Sequence, residues 1–311
     1  MCRASALRGY AVFFLFAIHR LVLTIKLHRF AGYMKLVADS GSTKTDWKLI
    51  TDSGEVLSYK SEGINPFFHT PESVAATLRK ISFDPFTHAD IHEVDFYSAG
   101  VSNHQNRTIM EQGFSKVFTG ATLNIMHDLL GAARALFSNE SGIACILGTG
   151  SNACLYIDGE IKMTLGGHGY ILGDEGSGMH IGRKVVRDFM SDLMPDDVKK
   201  LFDEEFGLSK DDISFAVYKK TFPNRYLASF SVFVNKHVEH PYFNALVDDA
   251  FMKYFERYII QFPDYLTHPV RILGSVGYYF EPQIRKRAEM YGVNIDRIIK
   301  APIEGLVNFH K

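Results

Sequence analysis

The chain has little cysteine and almost no net charge. Its 311 residues include three cysteines, which form neither a metal-ligand spacing nor a disulfide framework. This scarcity favours a reducing, cytoplasmic environment. The formal net charge is −1, and five Lys and Arg but no acidic residue lie in residues 1–33, so the rest of the chain is mildly acidic, with 29 Lys and Arg against 35 Asp and Glu. Such a body argues against nucleic-acid binding, which needs clustered positive charge. The hydrophobic content of 46% and the length are typical of a globular protein with two domains.

A long uninterrupted hydrophobic run is also missing. The apolar segment 10–18 is followed by His19 and Arg20, and a charged residue near the centre of a membrane span costs about 2.5–3.5 kcal/mol. No small-x-small cleavage site follows that segment. We therefore interpret residues 1–33 as a non-native or disordered extension with Met34 as the working start; a membrane-associated amphipathic leader is the alternative. No membrane contact is expected for the folded body.

Two similar β-units follow Met34. The first reads as strand, polar glycine-containing loop, strand, turn and strand, with the loop at residues 39–45. The same order recurs about 109 residues later, where the loop is at residues 148–152. Strands alternating with helices predict an α/β fold with ligands at the carboxyl ends of strands. We predict two domains, 34–140 and 141–311, each contributing one loop to a shared cleft.

The second loop matches a dinucleotide-binding pattern in its letters, Gly148-x-Gly150-x-x-Ala153. That pattern requires a helix after the glycines, whose N-terminus meets the pyrophosphate. Here Asp158 and Gly159, between alternating residues, predict a hairpin instead. A hairpin loop rich in Gly, Ser and Thr can still bind phosphate through backbone N–H groups and hydroxyls. The matched pair of loops therefore predicts a triphosphate site, with two ordinary tight turns as the alternative.

Acidic residues stand at two further positions of interest. Asp128 lies between a buried strand and a predicted helix, whose positive end favours the ionised carboxylate. It could accept a proton from a substrate hydroxyl; the alternative is a plain N-cap. Segment 166–178 holds six glycines around Asp174 and Glu175, which is typical of a ligand-contacting loop. His168 in the same segment either lines a site or packs.

Four segments carry a family resemblance: Asp39-Ser-Gly-Ser-Thr-Lys-Thr, His127-Asp-Leu-Leu-Gly-Ala, Leu147-Gly-Thr-Gly-Ser-Asn and the glycine-rich segment 166–178. Together they resemble the BadF/BadG/BcrA/BcrD ATPase family. Within that family the chain is most similar to N-acetylglucosamine kinases of the actin-like, sugar kinase and heat-shock ATPase superfamily. The resemblance runs from Met34 to the last residue. It implies an α/β fold of two ribonuclease-H-like (actin-like ATPase) domains with an interdomain ATP cleft.

The same resemblance implies roles for individual residues, with ATP and Mg²⁺ as cofactors. Asp39 would organise Mg²⁺ through water, and Asp128 would be the general base toward a sugar 6-hydroxyl. The residues implied to bind ATP are Ser40, Gly41, Ser42, Thr43, Lys44 and Thr45 in the first loop, Gly148, Thr149, Gly150, Ser151 and Asn152 in the second, and Gly274, Ser275 and Gly277 in an adenosine loop. The residues implied to contact the sugar, besides Asp128, are Asn65, Ser98, Gly100, His168 and Asp174.

One departure from the family pattern affects the substrate. Gly167-His168-Gly169 stands where the animal N-acetylglucosamine kinases have Trp-Gly-His, so an aromatic ring is lost near the acetamide. We predict an ATP-dependent kinase acting on the 6-hydroxyl of an amino sugar, with N-acetylglucosamine as the first choice. A homodimer is an expectation from the family alone.

Two other functions remain open within that resemblance. One is an ATPase activator of a 2-hydroxyacyl-CoA dehydratase or benzoyl-CoA reductase type enzyme, which holds an iron–sulfur cluster on interface cysteines. Cys145 and Cys154 fall in predicted strands and Cys2 lies outside the matched region, which argues against it. The other is a non-catalytic, nucleotide-dependent regulator, which would be expected to lose Asp128.

Overall fold

The protein is α/β, with two five-stranded mixed sheets. The computed structural model describes residues 32–41 and 44–311. The chain divides into two compact units: the described residues through Phe96 together with Asn103–Ile125, and Tyr97–Ser102 together with Met126–Lys311. The interpretations of residues 1–31, and the phosphate-loop assignments of Ser42 and Thr43, lie outside the described residues.

The first sheet has the strand order β3-β2-β1-β4-β5. Strands β1, β2 and β3 form an antiparallel meander. The N–H of His92 donates to Met34 O, and the N–H of Thr122 to His92 O, each at 2.9 Å. These bonds place the starts of β1, β4 and β5 side by side at one end of the sheet. The three strands therefore run parallel, and their carboxyl ends lie together at the opposite end. Its strands and helices are β1 (Lys35–Ser40), β2 (Lys44–Ile50), β3 (Val56–Glu62), α1 (Pro71–Arg79), β4 (Glu93–Ser98), α2 (His104–Ser115) and β5 (Thr122–His127).

The second sheet repeats this topology in the order β10-β9-β6-β7-β8. Its strands are β6 (Gly142–Leu147), β7 (Ser151–Ile157), β8 (Glu160–Gly166), β9 (Val270–Leu273) and β10 (Ile295–Ile299). Strands β6, β7 and β8 are antiparallel, and β9 is parallel to β6 and to β10. The predicted repeat of strand, glycine loop and strand is therefore confirmed.

The turn between β7 and β8 decides whether residues 148–153 can form a dinucleotide-binding motif. Asp158 has φ 50° and Gly159 has φ 81°, the left-handed pair that a tight two-residue hairpin turn requires. A strand rather than a helix thus follows the glycines at 148 and 150. The prediction that this loop does not bind a dinucleotide in the usual way is supported by the fold.

Helices make up most of the second unit. They are α3 (Asp128–Phe137), α4 (Gly169–Leu172), α5 (Gly178–Met190), α6 (Asp196–Phe206), α7 (Lys210–Tyr218), α8 (Pro223–Lys236), α9 (Pro241–Arg257), α10 (Ser275–Tyr279), α11 (Glu281–Met290) and α12 (Ile303–His310). Aromatic residues at helical spacing, such as Phe230, Phe233 and Tyr254, are buried in one core, as their pattern predicts. In the described part of the chain, every helix is too short or too polar to cross a membrane.

Helices α5 and α8 touch through their backbones at Gly182. A Cβ atom built there would lie 1.8 Å from the backbone oxygen of Leu227, so any side chain forces the helices apart. We expect Gly182→Ala to lower the free energy of unfolding by about 2–3 kcal/mol, measured by urea denaturation. Gly120→Ala is the matched control, because nothing lies within 4 Å of a Cβ there. Equal unfolding midpoints for the two variants would contradict this reading.

Candidate active site

The loop between β6 and β7 is held from one side by the start of α5. The N–H of Gly178 donates to Gly148 O at 2.9 Å, and the N–H of Met179 donates to Thr149 O at 3.2 Å. The N–H groups of Thr149 and Gly150 have no hydrogen-bond partner among the described residues. Two open backbone donors beside a helix N-terminus form an arrangement suited to a phosphate group.

Asp174 lies directly against this loop. Its Oδ1 accepts the N–H of Ser151 at 3.1 Å, and a Cβ on Gly150 would lie 3.0 Å from both carboxylate oxygens. Burial raises the pKa of the Asp174 carboxyl, while the bond from Ser151 opposes that shift. The Ser151 hydroxyl donates to Glu175 O at 2.7 Å. Asp174 therefore supports the loop, and its contact with a sugar stays a prediction.

The predicted adenosine loop lies beside the same structure. Gly274 follows β9, which pairs with β6, and its φ of 129° is open to glycine alone. A Cβ there would lie 2.3 Å from Leu147 O and 3.2 Å from the N of Gly148. Ser275 begins α10, and Gly277 is buried against Ile272. The second phosphate loop and the adenosine loop, both predicted from the sequence, are thus brought together at the ends of β6 and β9.

The loop between β1 and β2 is fixed by its own hydroxyl groups. Ser40 and Thr45 are buried, and their hydroxyl oxygens lie 2.7 Å apart. Ser40 Oγ accepts the N–H of Ile64 at 3.0 Å, and Thr45 Oγ1 donates to Glu62 O at 3.1 Å. The N–H of Gly41 donates to Lys44 O at 3.0 Å. These two hydroxyls stabilise the loop, so a phosphate contact from Ser40 or Thr45 would come from the main chain.

Carboxylates stand at the end of the same hairpin. Asp39 pairs with Asp46 across β1 and β2, which puts both side chains on one face of the sheet. Lys44 Nζ lies 2.8 Å from Asp46 Oδ2 and is exposed. Within residues 32–41 and 44–311, no group of three or more His, Cys, Asp or Glu residues could hold a metal. Magnesium usually keeps several waters and takes one or two carboxylates plus substrate phosphates, so this pair fits such a role.

Asp128 is the first residue of α3 and follows β5 directly. The N-cap is His127, whose Nδ1 accepts the N–H of Leu129 at 3.1 Å. The alternative of Asp128 as a plain N-cap is therefore wrong. Its carboxylate is about 30% exposed, with Oδ1 3.0 Å from His127 Nδ1. An accessible carboxylate at the positive end of a helix can receive a proton from a bound hydroxyl.

The other predicted sugar contacts are distributed over both units. Ser98 ends β4, the neighbour of β5 in the sheet, and Gly100 follows with φ 90°. Both belong to the same unit as Asp128. Asn65, in the first unit, is buried, and its Oδ1 accepts the N–H of Phe67 at 3.0 Å. His168 is exposed after β8, just before α4.

Solved structures place the chain in a family. It matches a candidate N-acetylglucosamine kinase from Porphyromonas gingivalis with a TM-score of 0.82 and 35% sequence identity, covering 88% of this chain and 98% of that chain. This chain belongs to the BadF/BadG/BcrA/BcrD ATPase family, in its N-acetylglucosamine kinase-like branch. A second candidate N-acetylglucosamine kinase, from Chromobacterium violaceum, has the same fold at 20% identity, with a TM-score of 0.72 and coverage of 90% and 99%. No family model and no curated protein matches the sequence.

For this BadF/BadG/BcrA/BcrD-family chain, the site also contains residues that the sequence reasoning did not assign. Gly178 contributes the N–H that fixes the loop between β6 and β7, and Ser177 caps α5 by accepting the N–H of His180 at 3.1 Å. The Tyr258 hydroxyl donates to Glu175, which also pairs with Arg257 at 3.2 Å. A Ser-Gly pair before a helical pattern is a recognisable signal for the first contact. Tyr258 carries no such signal, since its spacing marks it only as core.

Proposed function

We propose that the protein is an ATP-dependent kinase that phosphorylates the 6-hydroxyl of an amino sugar, with N-acetylglucosamine as the first candidate. The observation that carries this proposal is the pair of open N–H groups on Thr149 and Gly150, next to the Gly274 loop. Family membership supports a sugar kinase that uses a nucleotide. The amino-sugar substrate and the transfer reaction are what the experiment below tests.

The glycine loops of β1–β2 and β6–β7 would bind the phosphates of the nucleotide. The N–H groups of Thr149 and Gly150 would donate to phosphate oxygens, and the main chain of the loop after Ser40 would supply further donors. Magnesium, organised through water by Asp39, would neutralise charge on the phosphates when bound. Phosphoryl transfer has a loose transition state, so placing these donors accounts for much of the catalysis.

Asp128 would act on the acceptor sugar. A carboxylate within hydrogen-bond reach of the 6-hydroxyl orients that oxygen and takes its proton as the bond to phosphorus forms. The partly exposed position of Asp128 and the cap supplied by His127 leave the carboxylate available for that contact. Ser98, Gly100 and Asn65 would hold the other hydroxyls and the acetamide group.

The described cysteines favour the kinase over the dehydratase activator. An activator holds an iron–sulfur cluster on cysteines at a subunit interface, where the thiols must be accessible as thiolates. Cys145 and Cys154 are fully buried, and burial raises the pKa of the Cys145 thiol to about 12. An accessible Asp128 likewise favours a kinase over a regulator that has lost its base.

A screen of ADP release tests the proposal. The full chain is incubated with ATP and Mg²⁺ alone and with N-acetylglucosamine, glucosamine, N-acetylmannosamine, N-acetylmuramic acid or glucose. We expect the largest stimulation over the sugar-free rate from N-acetylglucosamine, and a product phosphorylated at the 6-position by NMR. Stimulation by another amino sugar would change the substrate assignment. No stimulation by any sugar would reject the kinase and favour the activator or regulator.

A further inference from the structure

The helix that carries Asp128 rests on the ring of Tyr97. Tyr97 lies in β4 and is fully buried. A Cβ atom on Gly131, one turn after Asp128, would lie 2.8 Å from both Cγ and Cδ1 of that ring. Only a glycine lets the helix come this close, so the first turn of α3 is seated on the Tyr97 ring.

Arg134 ties the same helix to both neighbouring strands. Its Nη1 donates to the Tyr97 hydroxyl at 2.9 Å and lies 3.0 Å from Sδ of Met126, two residues before Asp128. Its guanidinium carbon Cζ lies 4.9 Å from the centroid of the Phe309 ring, within range of a cation–π interaction. No carboxylate pairs with Arg134 among the described residues, and its Nε is buried without a partner. Burying part of a guanidinium without a carboxylate partner costs free energy, so Arg134 contributes little to the stability of the fold. Its contacts point instead to a role in the geometry of the helix.

His310 completes the cluster from the far end of the chain. Its Nε2 lies 2.9 Å from the Tyr97 hydroxyl. That hydroxyl accepts from Arg134 and can donate to an unprotonated Nε2, so one oxygen serves both neighbours. The helix that carries His310, α12, touches α3 through its backbone, since a Cβ on Gly305 would lie 2.4 Å from Ala135 O. We call Tyr97, Arg134 and His310 the tyrosine clamp.

We propose that the tyrosine clamp positions the Asp128 carboxylate relative to the end of β4. Tyr97 immediately precedes Ser98, and Arg134 contacts the strand that delivers Asp128, so a single hydroxyl connects the sugar-contacting strand end with the base. This inference rests on the proposed kinase function. Proton abstraction requires the carboxylate within about 2.6–3.2 Å of the hydroxyl, and a misplacement of about 1 Å can reduce the rate by about 100-fold. The three clamp residues are thus positioning residues that act through Asp128.

Removing one hydroxyl tests the clamp. Tyr97→Phe keeps the ring on Gly131 but disconnects Arg134 from His310. We expect kcat for the sugar to fall by about tenfold or more, with KM for ATP unchanged, because α3 shifts while the nucleotide loops do not. Tyr242→Phe is the matched control: it removes a hydroxyl that donates to Asp188 at 2.8 Å in the same unit, far along the chain from α3. His310→Gln, whose amide oxygen Oε1 can accept from the Tyr97 hydroxyl as Nε2 does, should retain more activity than His310→Ala.

A second measurement does not depend on catalysis. Hydrogen exchange of backbone amides is compared between wild type and Tyr97→Phe without substrate, with expected acceleration in α3 and none in α5. Wild-type kcat in Tyr97→Phe, or an equal loss in Tyr242→Phe, would overturn the clamp, as would unchanged exchange in α3. If wild type phosphorylates no sugar, the proposed function fails, and the exchange of α3 alone decides whether the clamp holds that helix.

Discussion

Asp128→Asn is expected to cause a large loss of sugar phosphorylation while leaving the affinity for ATP close to that of wild type. The amide keeps the size of the carboxylate but cannot take the proton of the attacking hydroxyl. General-base catalysis contributes about 10²–10⁴-fold, so kcat should fall by that order. The helix still begins where it did, because His127 supplies the cap. ADP release gives kcat, and calorimetry with ATP and Mg²⁺ gives Kd.

The chain offers a matched control for that substitution. Asp196 is the first residue of α6, so it too is an acidic residue at a helix start in the second unit. Asp196→Asn carries the same change in charge and the same small loss of favourable interaction with a helix N-terminus. Its kcat should equal that of wild type. Full activity of Asp128→Asn would remove Asp128 from the mechanism.

Gly148→Ala is expected to weaken ATP binding by about 10–100-fold without lowering stability. A Cβ on Gly148 meets nothing within 4 Å, so the folded protein accommodates the methyl group. The methyl would instead occupy the space through which a phosphate is proposed to approach Thr149 and Gly150. Hydrogen bonds to a charged group are worth about 1.5–3 kcal/mol each, and losing one corresponds to the stated change in Kd.

Two measurements separate this effect from damage to the fold. Urea unfolding should give Gly148→Ala the midpoint of wild type, while calorimetry shows the weakened binding. Gly120→Ala, also with open space around its Cβ, should alter neither quantity. Wild-type ATP affinity in Gly148→Ala would contradict a phosphate site at this loop.

The repeat and its hairpins were predictable because their signals are local. Alternating residues and the Asp158–Gly159 turn specify three antiparallel strands within a short segment. The second sheet then reproduces the order of the first. The glycine-rich composition of residues 148–150 likewise identified a loop that the structure places beside a helix N-terminus.

The supports of the candidate site were less accessible to sequence reasoning. Position alone left Asp128 as base or N-cap, because the cap depended on which way the His127 side chain turned. Asp174 contacts Ser151 across 23 residues, and His310 contacts Tyr97 across 213. No periodicity or turn motif encodes such separations. They follow from how sheets and helices pack, which a single sequence expresses only weakly.

The hydrogen bonds from the start of α5 to the carbonyl oxygens of Gly148 and Thr149 affect the free energy of ligand binding. A flexible loop must lose backbone entropy when it closes on a ligand, and that loss subtracts from affinity. Here the loss has already occurred during folding, through bonds that exist without any ligand. The loop is therefore preorganised, and the favourable energy of the contacts proposed for it with phosphate would appear almost undiminished as binding.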